Sequence, residues 1–457
     1  MEYALIAVVV IIAALSVLCT PIAKTVNTFY SGSSPQGKAP NLFTLTFSQV
    51  TTWIFARSLM NAAILGYFYG LWGTLAYALY YLSFLTGGKI VDELRFQQGF
   101  SSVQEFLQAR FGRAGVSCYN IVIVIRLVSE VFANLLVIGM LFGIAGSNAY
   151  VLAIIAFSAV TLLYSVVGGL HASLKTDVLQ MSIFVFVLLM LLSIVLSSGQ
   201  FSIADLTFKE FQIDQPGPIL MAVALLQIWS YPMHDPVMMD RGFLADRQTT
   251  RKSFFHAAWI SIICVIAFGF LGVWAGAHAS EGEAMNTVLM RLLGEWPMLL
   301  FSTTLVVSAM STLDSTLSSS AKLVAIDMRL VGASVRNGRL IMLIFMLFGL
   351  LCVFYGNQDL FSAVAVSGTV SLFLAPVVFF SIFGKQKYIP SWSYLIAFVV
   401  AISGATLYFL ESSGHTQWLG EVHKYTKLLL ISIIILVVGC VAFLIGKIQT
   451  SYISKLN

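Results

Sequence analysis

Between Ser308 and Ser320 the chain reads Ser-Ala-Met-Ser-Thr-Leu-Asp-Ser-Thr-Leu-Ser-Ser-Ser. This run lies inside an apolar stretch from about Trp296 to Met328, long enough to cross a bilayer. At roughly 100° per residue, Ser308, Ser311, Thr312, Ser315, Ser319 and Lys322 fall on one stripe of a helix, with Asp314 at its edge. Two chemistries compete for the stripe. Small hydroxylated residues pack spanning helices closely and bond back to their own carbonyls. Hydroxyls and helix carbonyls are also the oxygens that a hard cation such as sodium takes as ligands. A carboxylate at membrane depth is costly and marks function, so Asp314 weighs for the second.

Further charges lie in apolar surroundings. Arg126 and Glu130 form an i, i+4 pair inside a spanning pattern, with Arg first, the weaker order for a helix salt bridge. Either they neutralise each other and fix packing, or the planar guanidinium is there to grip a carboxylate solute. Arg57, in Thr51-Thr-Trp-Ile-Phe-Ala-Arg-Ser, pairs with Glu130 or Asp314 or faces a cavity. Asp177 opens another apolar run, either as a carboxylate favoured by the helix dipole or as a cation ligand near the serine stripe. Gln227-Ile-Trp-Ser-Tyr-Pro-Met-His-Asp-Pro sets Pro232 and Pro236 four apart and removes two backbone donors. A helix unwound there frees carbonyls and amides for a ligand, with Trp229, His234 and Asp235 beside it. The alternative is a plain helix end at the inner interface.

The elements that must position these residues follow from composition. Of 457 residues, 59% are hydrophobic and 10% charged, and the mean hydropathy is +0.91, which specifies an all-α polytopic membrane protein. A net charge of +5 spread over short loops does not suggest nucleic acid, and no obligate protein partner is evident; a small solute and the lipid bilayer are the expected partners. The five cysteines are scattered singly and the six histidines lack metal spacing, so neither a disulfide framework nor a metalloenzyme is indicated.

At about 20 apolar residues per span, thirteen helices are expected near 3–20, 42–66, 68–88, 114–143, 149–167, 174–198, 216–234, 253–278, 290–327, 337–355, 358–383, 390–410 and 425–447. The first reads as an uncleaved span, because residues 1–19 lack a basic start and a small-residue cleavage site. With the N-terminus outside, internal loops and the C-terminus hold eighteen Lys and Arg, Arg241 among them, against four outside. That bias puts the C-terminus in the cytoplasm. Asp92–Arg113 is amphipathic, with Ser101 or Ser102 as N-cap, and reads as a short surface helix or a plain connector.

Three stretches together resemble the sodium:solute symporter family, whose members carry sugars, proline, pantothenate and sialic acid. They are Val167-Gly-Gly-Leu through Thr176-Asp177-Val-Leu-Gln180, His234-Asp-Pro through Asp240-Arg241 with Ala245-Asp246, and Ser308 through Asp327. Tyr30-Ser-Gly-Ser resembles the family's glycine-containing loop before the second span. The resemblance implies a leucine-transporter-like fold in a single transmembrane domain. Two inverted five-helix repeats would span about 42–198 and 216–383, with the 3–20 helix before them and two helices, 390–447, after. Each repeat would open with a discontinuous helix, although no Gly or Pro near 51–61 marks a break in the first.

Carried over by position, the resemblance implies a sodium site from the hydroxyls of Ser311 and Thr312 and the carbonyls of Ser308, Thr51 and Ile54. An additional cation, sodium or a proton, would use Asp177, Asp314 and Ser315 with Ser311. Trp53 and Arg57 are unlike the sugar carriers, and Ser58 and Asp235 replace polar sugar contacts. Arg126 lies in a helix where the sialic acid carrier has a carboxylate-binding arginine. The expectation is therefore a sodium-coupled symporter for a carboxylate or amino acid in a bacterial inner membrane. Its solute would meet Trp53, Arg57, Ser58, Arg126, Glu130, Trp229, His234 and Asp235. The alternatives are a membrane-embedded solute sensor of the same fold and proton coupling in place of sodium.

Overall fold

Long apolar runs punctuated by glycine and proline dictate helices. The computed structural model describes residues 2–199, 201–207, 209–355 and 360–456, and among them there is no strand. In chain order the principal helices are α1 (Glu2–Cys19), α2 (Leu42–Trp53), α3 (Ala56–Leu79), α4 (Ser83–Val91), α5 (Val103–Phe142), α6 (Asn148–Ser197), α7 (Pro216–Gln227) and α8 (Tyr231–His234). They continue with α9 (Pro236–Gly242), α10 (Arg247–Ala277), α11 (Glu295–Lys322), α12 (Val335–Tyr355), α13 (Leu360–Ser371), α14 (Ser391–Ser412) and α15 (Lys424–Leu456).

Among the described residues nine helical segments are long and apolar enough to cross a membrane, fewer than the thirteen spans expected. Two features account for the difference. Expected neighbours run on as one segment, with non-helical geometry at Gly70 (φ 65°) in α3 and Gly169 (φ 57°) in α6. Two further apolar helices, Tyr3–Cys19 and Pro216–Gln227, are too short to count by themselves. The expected span 358–383 begins at two residues outside the described ones, and an apolar segment runs over Val366–Phe383. At Gly169 the left-handed backbone and the Phe29 carbonyl, 2.5 Å from where a Cβ would stand, leave room only for glycine.

The helices pack as two four-membered groups. In one, α3 lies against α10 and α7, and α10 also meets α2. In the other, α11 lies against α6 and α5, and α12 against α5 and α6. Contacts of α2 with α6 and of α3 with α11 join the groups, while α14 and α15 pair at the periphery. Backbones of α3 and α10 approach so closely that a Cβ on Gly272 would come within 1.8 Å of the Ala63 carbonyl oxygen. Close approach of small residues is how spanning helices gain packing without a hydrophobic driving force. Helix α11 is buried along nearly all its length, so its hydroxyl stripe faces protein, not lipid.

Both expected discontinuities are present. Helix α2 ends at Trp53, and α3 starts at Ala56 after two non-helical residues, Ile54 in a γ-turn-like conformation (φ −81°, ψ 72°) and extended Phe55 (φ −63°, ψ 151°). Tertiary partners take the carbonyls freed there: the Tyr81 hydroxyl donates to Trp53 O at 2.9 Å and the Ser308 hydroxyl donates to Ile54 O. At the second, α7 gives way to a turn at 228–230, then α8, then extended Asp235 (φ −106°, ψ 101°) and α9. Pro232 and Pro236 sit in the first turns of α8 and α9, where a missing N–H is not needed. Asp235 Oδ1 accepts from Met238 N at 2.8 Å and caps α9. His234 and Asp235 are each 2% exposed, so the break lies in the core and the reading as an interfacial helix end is set aside.

Ser102 caps α5, accepting from Glu105 N at 3.0 Å, and Glu105 accepts in return from Ser101 N at 2.8 Å. The expected amphipathic stretch thus runs into α5 through a bend at Gly112 (φ 66°).

Candidate cation and solute sites

Where α2, α6, α9 and α11 meet, a polar cluster is buried. Asp177 of α6 accepts from Ser48 Oγ at 2.5 Å, Ser311 Oγ at 2.7 Å and Arg241 Nη2 at 3.3 Å. Asp314 of α11 accepts from Thr176 Oγ1 at 2.8 Å and Ser173 Oγ at 3.0 Å, and from Ser315 Oγ at 3.2 Å. Arg241 of α9, 0% exposed, donates from Nε to Ser48 Oγ at 2.8 Å and from Nη2 to Ser315 Oγ at 2.7 Å. Asp177, Asp314, Ser311 and Ser315 are thus brought together as expected, with Arg241 among them. Counting Arg241 with the loop charges is corrected: α9 folds back from the break and carries it into the core.

The hydroxyls of α11 divide between the two readings of the stripe. Thr303, Thr312 and Ser318 bond back to carbonyls four residues earlier, at 2.7, 2.9 and 2.8 Å. Ser308, Ser311 and Ser315 reach other helices instead. The five residues expected around sodium are all at most 2% exposed. The Ser308–Ile54 contact brings α11 against the α2 break, and Thr312 Oγ1 lies on the Ser308 carbonyl. Thr51 sits one turn before that break.

A second buried cluster lies beside the breaks. Glu130 Oε1 accepts from Arg57 Nη2 at 2.7 Å and from Arg126, and Arg126 Nη2 reaches Asp235 Oδ2 at 3.1 Å. Arg57 therefore chooses Glu130, not Asp314. Both guanidiniums lie over the Phe55 ring, Arg57 at 5.5 Å and Arg126 at 5.6 Å, and Arg126 is 5.7 Å from the Tyr231 ring. Among the described residues Arg57 Nε and Nη1, Arg126 Nε, Glu130 Oε2 and His234 Nδ1 are buried without a hydrogen-bond partner. His234 Nε2 meets Ser367 Oγ at 3.0 Å. An unpaired buried donor costs about 1–3 kcal/mol, more when charged, so such a concentration marks a place that awaits a partner.

A tight cavity of about 20 Å³ adjoins this cluster, lined by Trp53, Phe55, Ser58, Tyr77, Tyr80, Tyr81 and Tyr231. That volume holds about one water, so a solute enters only if these helices separate. The Tyr77 hydroxyl donates to Ser58 Oγ at 3.1 Å. Trp229 is not part of this group: it is half-buried against Phe379, ring centroids 5.6 Å apart. The turn at 228–230 points Tyr231, two residues on, inward in its place. On the other side of Arg126 and His234 lies an apolar groove of about 690 Å³, walled by Val122, Ile125, Phe345, Phe348 and Val370 and open at the surface, where Ile125 and Phe348 are more than half exposed. Away from the spans, the Arg291 guanidinium beside Glu283 holds that carboxyl below the usual carboxylate range.

Sequence reasoning missed Ser48, Ser173, Thr176 and the tyrosines of α3 and its continuation. Ser173 was within reach, being four residues before Asp177 on a helix, whereas Thr176, adjacent to Asp177, meets Asp314 instead and carried no such signal. Tyr77-Ala-Leu-Tyr80-Tyr81 is a dense aromatic run that was not singled out.

No curated protein matches the sequence of the chain. Among solved structures it is similar to a sodium-coupled sialic acid symporter in a substrate-bound outward-open state, with TM-score 0.69, 15% identity and 97% of each chain covered. It is also similar to a nucleobase-cation-symport-1 family transporter in a closed conformation with bromovinylhydantoin bound, with TM-score 0.52, 13% identity, 94% of this chain and 95% of that one. At these identities the similarity establishes the fold, which is the leucine-transporter-like arrangement expected. The profile of the sodium:solute symporter family matches residues 37–388. The chain therefore belongs to the sodium:solute symporter family: an integral membrane transporter, not an enzyme, that couples a small-molecule solute to sodium.

Proposed function

We propose that this symporter imports a small organic anion or amino acid by alternating access. The observation that carries the reading is the Arg57–Glu130–Arg126–Asp235 cluster. Its unpartnered guanidinium N–H groups are suited to a carboxylate, and the free Glu130 Oε2 to an ammonium. The apolar groove beyond Arg126 suits the carbon body of such a solute. Sodium binds between α2 and α11, held by the Ser311 and Thr312 hydroxyls and the carbonyls of Ser308, Thr51 and Ile54. Once there it ties the broken helix to α11 and prepares the solute pocket, so inward closure depends on both ligands.

The repeats, about 42–198 and 216–383, each contribute one broken helix to the site. The N-terminus faces outward, the C-terminus the cytoplasm of a bacterial cell. One sodium falling through about 100 mV releases about 2.3 kcal/mol, and a tenfold gradient adds about 1.4 kcal/mol. Together these sustain roughly several-hundred-fold accumulation of a zwitterionic amino acid, whereas a monoanion crossing with one sodium moves no net charge and is driven by the gradient alone, to about tenfold.

The test is a melting-temperature screen of amino acids, carboxylates and sugars with and without sodium, followed by uptake into proteoliposomes. A carboxylate or amino acid that stabilises the protein only with sodium, and is then accumulated, is the expected result. Stabilisation by a neutral sugar alone would reject the solute class. Binding without flux would leave a sensor.

A further inference from the structure

The cluster around Glu130 is balanced in charge but not in hydrogen bonds. It holds two guanidiniums, Arg57 and Arg126, and two carboxylates, Glu130 and Asp235, all at most 3% exposed. His234, at its ordinary value of about 6.5, adds no charge at neutral pH. Still unpartnered are Arg57 Nε and Nη1 and Arg126 Nε, which donate, and Glu130 Oε2, which accepts. These atoms call for an acceptor and a donor together, with no net charge between them. A lone anion would meet the N–H groups but strand Glu130 Oε2 and leave an uncompensated charge in a buried site, which is strongly disfavoured. A sodium between α2 and α11 does not offset that charge. It would lie beside Ser311, whose hydroxyl donates to Asp177, in a cluster where two acids, Asp177 and Asp314, already outnumber the Arg241 guanidinium.

The unmet atoms are also close together. Glu130 Oε1 accepts from both Arg57 and Arg126, so the free oxygen of the same carboxylate adjoins the guanidiniums whose N–H groups are free. We propose that the solute is a zwitterion with both charges on one carbon, an α-amino acid. Its carboxylate takes the free N–H groups of Arg57 and Arg126, and its ammonium takes Glu130 Oε2. This rests on the solute-cluster reading above and narrows it, excluding simple anions. Charges held apart by several methylenes reach only one of the two partners.

The test is sodium-dependent binding to the purified chain. The probes are the common α-amino acids, the deaminated acid of each, and β-alanine and ε-aminocaproate, isomers of alanine and leucine whose charges lie further apart. The best α-amino acid is expected to bind about tenfold or more tighter than its deaminated acid and than either isomer. A deaminated acid or an isomer that binds as tightly as the best α-amino acid overturns the proposal while the wider reading stands; binding of neither amino acids nor carboxylates removes the cluster reading itself. Charge gives a second readout. Glu130→Gln leaves the cluster one positive charge in surplus, and so does Asp235→Asn, whose side-chain oxygen still caps α9. In either variant the preference for the amino acid over its deaminated acid is expected to fall about tenfold or more. A folded variant in which both ligands weaken alike also overturns the proposal. Should neither variant fold, the wild-type panel decides.

Discussion

Around Arg241, the acids Asp177 and Asp314 and the hydroxyls of Ser48, Ser173, Thr176, Ser311 and Ser315 all have partners within the chain. Around Glu130, by contrast, atoms of Arg57, Arg126, Glu130 and His234 are buried without any. One cluster sets a single arginine among two acids and the other sets two arginines among two, at the junction of the same two helix groups. One is closed on itself and the other is not. Burying charge is tolerable only when every group is satisfied, so the closed cluster stands by itself, and on the proposed reading an arriving solute completes the open one.

The contrast can be broken experimentally. The largest effect is expected from Glu130→Ala, which strands the buried Arg57 guanidinium and leaves Arg126 with Asp235 alone: loss of about 3–5 kcal/mol of stability, read as a fall in melting temperature in detergent. Ser311→Ala with Thr312→Ala is expected to abolish sodium-dependent uptake in proteoliposomes while the protein still folds; uptake with unchanged sodium dependence would move the sodium site elsewhere. Arg126→Lys keeps the charge but loses the fork, so solute affinity should fall about tenfold or more with sodium affinity little altered. If solute affinity holds and the melting temperature drops instead, the cluster is a packing device. The smallest effect belongs to Ser319→Ala. Its hydroxyl is buried on the same face of α11 but has no partner among the described residues, and a change within about 0.5 kcal/mol is expected.

What could be read in advance depended on how local its cause was. The α11 stripe was legible because helical geometry alone puts Ser308, Ser311 and Ser315 on one face. The second broken helix was legible because Pro232 and Pro236 announce it. The first was not, since Ile54 and Phe55 are ordinary residues held out of the helix while hydroxyls from Tyr81 and Ser308, distant in sequence, take the neighbouring carbonyls. Arg241 was misplaced for a related reason: nearness to a basic loop suggested the surface, and only the fold of α9 reveals acids waiting for it. The exchange of Trp229 for Tyr231 turns on two residues of phase at a helix break, finer than periodicity resolves.

The carbonyl of Ile54 carries one more consequence. It already accepts a hydrogen bond from Ser308, and the Ser308 carbonyl in turn accepts from Thr312. On the proposed sodium site, an arriving ion competes for oxygens that are content without it, trading hydrogen bonds for coordination and gaining only the difference. Such a site holds its guest weakly enough to let go, and a carrier that cannot release its driving ion on the far side turns over once.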